Sequence, residues 1–136
     1  MVTNSTSEGD AGLSAKMALC LAAFTMVGID GEFKVEELDK LRSLVHTDES
    51  AFLKAFSFYN DRPLDVCIKV VSAKLNDEQK QITYKVLYDL AQVDRDFARS
   101  EQDLLNQYAA EFRLNKDFIV SVKDMPRHEY NFTAFE

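Results

Sequence analysis

Ten residues near the front of the chain, GIDGEFKVEE at 28–37, gather four carboxylates, Asp30, Glu32, Glu36 and Glu37, around a glycine turn. A second acidic stretch, QVDRDFARSE at 92–101, repeats the arrangement with Asp94, Asp96 and Glu101. Ligands that are all oxygen suit a hard divalent cation of the calcium or magnesium type. Neither stretch is an EF-hand. That loop runs roughly twelve residues to its bidentate glutamate, whereas Asp30 to Glu37 is a step of 7. A tight site would therefore need backbone oxygens, water or both turns together.

Position along the helices separates these carboxylates. Glu36, Glu37 and Glu101 fall where a helix is expected to begin, and its dipole stabilises negative charge there by roughly 0.3–1 kcal/mol. No ligand is needed to explain them. Asp30 and Asp94 fall at the expected C-terminal ends of the preceding helices, where the dipole opposes a carboxylate and Glu32 or Asp96 adds like-charge repulsion. A cation bound between these groups and the helix carbonyls would make the placement favourable. The alternative is a solvated turn in which Gly31 ends the helix and Lys34, Arg95 and Arg99 supply the counter-charge.

The elements that must position these turns are helical. The chain of 136 residues has only 4 Gly and 2 Pro and is long enough to bury a core as one domain. Residues 1–12 are small and polar and are expected to be disordered. Apolar spacing predicts a first helix over 13–29, apolar nearly all round and so central, and a second through Val35, Leu38, Leu41, Leu44 and Val45. A third carries Phe52, Leu53, Phe56 and Tyr59 on one face, leaving Phe58 as the exposed ring, and a fourth starts with Pro63 in its first turn. Asn76 or Asp77 caps a fifth, with Ile82, Val86, Leu87, Leu90 and Val93 inward. A sixth is expected over 99–112 and a short seventh over 116–123. Tyr130, Phe132 and Phe135 would hold the tail, 124–136, against the body or on a partner. The expectation is an all-α domain of about seven helices over 13–123, with no sheet.

The two acidic stretches align at a constant offset of 64 (94 − 30). Phe33/Phe97, Glu37/Glu101, Asp39/Asp103 and Leu41/Leu105 are identical pairs, and Ile29/Val93 and Glu32/Asp96 are chemically matched. Such self-similarity predicts two pseudo-symmetric αα-hairpin halves around one core. Arg95 stands where the first copy has Gly31.

A long helix ending in Asp30-Gly31, Glu37 seven residues later and the second copy at Asp94 and Glu101 together resemble the TerB-like domain of tellurite-resistance proteins. A similar domain lies near the membrane anchor of DjlA-type co-chaperones. The resemblance covers roughly 13–122. It implies an all-helical fold of two related halves, an acidic surface cluster that binds metal, and a part in stress or tellurite response without catalysis. Carried over by position, its acidic residues are Asp30, Glu37, Asp94 and Glu101, and Glu32 and Asp96 join them by proximity.

Composition narrows the other classes. A net charge of −7 with no basic stripe speaks against nucleic acid and anionic membrane surfaces. The apolar run after Lys16 is too short to span a bilayer, and it lacks the basic flank and cleavage site of a signal peptide, so a cytoplasmic protein is expected. Cys20 and Cys67 read as buried thiols, and His46 and His128 have no ligand-spaced partner, so neither zinc nor a Cys-His nucleophile is indicated. With no glycine-rich phosphate loop and no apolar pocket to raise a carboxyl pKa, the chain reads as non-enzymatic. The competing function is a metal-independent interaction module, docking a protein partner through its acidic face or its aromatic tail. The sequence indicates no oligomeric state.

Overall fold

In the computed structural model of the chain, residues 14–29, 39, 49–91, 99–124 and 132–135 are described. Six α-helices lie among them: α1 (Ala15–Val27), α2 (Glu49–Asp61), α3 (Leu64–Lys74), α4 (Asp77–Ala91), α5 (Arg99–Phe112) and α6 (Lys116–Asp124). A 3-10 turn, η1 (Phe132–Phe135), follows, and there is no strand among the described residues. The helix expected through Val35 to Val45 lies outside the described residues except for Asp39, which is helical and exposed. Residues 1–12 lie outside them as well.

Helix α1 is the axis of the fold. It begins where the Ser14 hydroxyl accepts the Met17 N–H at 3.2 Å, and it closes at Gly28, whose N–H donates to the Phe24 carbonyl at 2.9 Å. It is therefore shorter at both ends than the expected 13–29. Every residue from Ala18 to Val27 is buried, because α1 packs against α2, α3 and α4 and has no polar face to give to water. The small Ala18, Ala22 and Ala23 allow those neighbours to approach closely.

The ring of Phe24 meets Phe52 at 5.2 Å, Phe56 at 5.1 Å and Tyr59 at 6.1 Å between centroids. Three expectations for α2 are corrected. Leu53 is 56% exposed, Phe56 keeps an exposed edge (37%) although its ring touches Phe24, and Phe58 is half-buried with the Arg62 guanidinium 4.7 Å above its ring. Ala51, Phe52 and Ala55 form the buried seam against the core, which turns Leu53 outward. Periodicity alone does not choose between neighbouring stripes of one helix.

Local chemistry sets the remaining boundaries. Pro63 stands just before α3 as its N-cap, with φ −65° and ψ 158°, not inside its first turn. Asn76 and Gln79 form a reciprocal capping box at the head of α4, each backbone N–H donating to the other's side-chain oxygen at 2.8 Å. Helix α5 ends in a Schellman motif, with Leu114 N–H on Ala109 O at 3.0 Å and Arg113 N–H on Ala110 O at 3.1 Å. Arg113 takes the left-handed conformation (φ 58°) that glycine usually fills there, at a cost of about 1 kcal/mol. Asn115 then caps α6 through the Asp117 N–H at 2.7 Å, and α6 buries Val122 while Phe118 leans on Tyr84.

Candidate functional site

The helices that precede the two acidic stretches in sequence are described. Helix α1 has Val27 as its last residue, three before Asp30, and α4 is described to Ala91, three before Asp94. On the far side of the second turn, α5 starts at Arg99 and carries Glu101 in its first turn. Of the six candidate ligands, Glu101 is described, while Asp30, Glu32, Glu37, Asp94 and Asp96 lie outside the described residues. Among the described residues no group of three or more His, Cys, Asp or Glu side chains is arranged to hold a metal ion.

Glu101 departs from a simple helix-start charge. Only 4% of its surface is exposed, whereas Asp103 two residues on, like its counterpart Asp39, faces water. A carboxylate at a helix N-terminus gains from the dipole even when solvated. Taking it out of water costs several kcal/mol unless partners compensate, so full burial of a glutamate marks a built position, not a decorative one. Sequence reasoning placed Glu101 correctly in the first turn but had no signal for its burial.

The other chemistry-bearing groups sit in the core or on open surface. Cys20 and Cys67 are buried thiols not joined in a disulfide. Burial pushes the Cys67 thiol up, with nearby Arg62 opposing and Asp65 adding to the effect, which is the wrong direction for a nucleophile. Thr25 Oγ donates to Ala22 O at 2.6 Å and lies 2.7 Å from the Tyr108 hydroxyl. Since Thr25 has one hydroxyl proton, Tyr108 donates to it, and burial holds the Tyr108 phenol well above its ordinary value. Burial likewise raises Tyr59 and Tyr84. An open groove of about 630 Å³ beside the α5–α6 corner is lined by Asp77, Lys80, Glu111, Arg113 and others. Asp77, Glu111 and Arg113 are exposed, so water screens their charges and the groove holds no desolvated acid or base. His46 and His128 lie outside the described residues.

The family model described as Tellurite resistance protein TerB matches residues 14–124. The chain belongs to the TerB family. Comparison with curated proteins and with solved structures gives no significant match. The TerB match opens on the N-cap of α1 and closes on the last residue of α6, so all six helices fall inside it and η1 falls outside. Among the described residues of this TerB-family chain, no helix is long and apolar enough to cross a membrane.

Proposed function

We propose that this TerB-family domain binds a divalent cation of the calcium or magnesium type at its two acidic turns and works without catalysis, as a cytoplasmic sensor or scaffold in stress response. The observation that carries the reading is the place of Glu101, in the first turn of α5 after the second acidic stretch of a TerB-family chain. With Asp94 and Asp96 before it in sequence, Glu101 completes an all-oxygen set that suits a hard cation, and Asp30, Glu32 and Glu37 repeat that set 64 residues earlier. Asp30 follows the C-terminal end of α1, where the helix dipole is negative, which adds support. In this reading the chain forms two pseudo-symmetric αα-hairpin halves, with a seventh helix through Asp39, and Asp30, Glu32 and Glu37 form the first half-site.

Calorimetric titration with calcium, magnesium, manganese and zinc tests it. Saturable binding by the wild-type chain that weakens at least about tenfold in Asp30→Asn/Asp94→Asn is expected, since loss of two anionic oxygen ligands weakens a hard-cation site. Absence of saturable binding to any of the four, or equal binding by the double variant, sinks the reading.

A further inference from the structure

The head of α4 and the C-terminal segment meet through one side chain. Gln79 accepts the Asn76 N–H through Oε1 at 2.8 Å and donates from Nε2 to the Ala134 carbonyl at 2.7 Å. The two contacts fix the amide orientation together, because reversing it would set like groups against each other at both ends. A capping box is served equally by glutamate or glutamine at this position. Only glutamine can also donate, so the residue type suits the tail contact as well as the cap. One residue beyond Ala134, Phe135 is 5% exposed and belongs to the hydrophobic core, and η1 packs on α4.

The seat is built, and its occupant is slight. Gln79 is itself 8% exposed and is held by its own cap. The segment Phe132–Phe135 is a single 3-10 turn, too short to be stable by itself, and it lies outside the TerB match that ends at residue 124. A segment held by one short turn and few buried contacts opens at lower free energy than the helices beneath it. We propose that the head of α4 is a peptide-docking site, filled here by the chain's own Phe132–Phe135 segment and open to the same segment of a second copy once that segment is displaced. Recognition requires a phenylalanine and, one residue before it, a backbone carbonyl presented to Gln79 Nε2. The tail is thus an exchangeable latch, and this holds whether or not the acidic turns bind a cation.

The test uses the full chain and a peptide of residues 129–136, EYNFTAFE. In Gln79→Glu the cap survives but an oxygen faces the Ala134 carbonyl, so hydrogen exchange at the Phe135 amide should accelerate about tenfold or more while amides in the middle of α4 change little. In Phe135→Ala the seat is emptied with Gln79 intact, and the wild-type peptide should bind it saturably. A peptide carrying the same Phe135→Ala change should fail, and adding Gln79→Glu to the chain should weaken binding about tenfold or more. If Phe135→Ala does not fold, the exchange measurement on Gln79→Glu decides alone. Unchanged exchange at Phe135, exchange of tail and α4 as one unit, or no saturable peptide binding by folded Phe135→Ala overturns the proposal.

Discussion

Helices α1 and α4 both lead into an acidic turn, and their residues correspond at the offset of 64, yet their surroundings differ. From Ala18 to Val27 every position of α1 is buried, whereas the corresponding stretch of α4, Ile82 to Ala91, leaves Lys85, Tyr88 and Asp89 half-exposed along one stripe. Phe24 sits in a nest of three aromatic rings, and its counterpart Tyr88 lies on that stripe. Leu19 is buried without polar demands, and its counterpart Thr83 is just as buried, with a hydroxyl that has no hydrogen-bond partner among the described residues. Likeness in the turns therefore does not carry over into likeness of the helices that hold them. Helix α1 is enclosed along its length, whereas α4 keeps one open stripe, although its last residues Leu90 and Ala91 are as buried as those of α1.

The sharpest way to break this contrast is to truncate the corresponding aromatic residues. Phe24→Ala should cost about 3–5 kcal/mol, since it empties a fully packed position. Tyr88→Ala should cost about 1–2 kcal/mol, since half of its surface term is never gained. Denaturant unfolding of both variants checks the ratio, and equal losses would show that α4 is as central as α1. Next in size, Thr83→Val should stabilise the chain by about 1 kcal/mol by removing an unsatisfied buried hydroxyl. A loss on the same measurement would mean that the hydroxyl has a partner beyond the described residues.

Tyr108→Phe should have a smaller effect, about 1 kcal/mol of lost stability at neutral pH, because the bond to Thr25 goes while the ring remains. Its pH dependence is more informative. The buried Tyr108 phenol is raised, so its contribution is complete below the ordinary phenol value of about 10 and is lost as the pH climbs from there towards the raised folded value. The unfolded chain sheds this proton first, so wild-type stability should fall across that alkaline window, and more steeply than that of Tyr108→Phe. Identical slopes in urea melts between neutral and alkaline pH would show that Tyr108 ionises freely in the folded chain.

Several elements were legible in the residues alone because their signals are local. Helix α5 over 99–112 and the Asn76 cap follow from caps and apolar spacing, and the central role of α1 follows from the lack of any polar face. Other features were not legible. Leu53 and Phe56 turned outward and Phe58 inward because the small seam of Ala51 and Ala55 sets the rotation of α2, which only packing against α1 decides. The tail gave no helical pattern, and its contact with Gln79 spans 55 residues in sequence. At the candidate site, the place of Glu101 in the first turn of α5 was readable but its burial was not, and the other five acidic residues lie outside the described residues.

By itself the sequence determined the helical class, the acidic stretches that repeat at an offset of 64, and the Asn76 cap of α4. These are matters of nearest-neighbour chemistry, of which residues cap, which break and which repeat at helical spacing. Only the tertiary structure decided that α1 is enclosed while α4 keeps an open stripe, that Glu101 is withdrawn from water, and that Gln79 joins a helix cap to the distant tail. Those outcomes depend on which surfaces meet, and contacts between residues far apart in the chain leave no periodic trace along it.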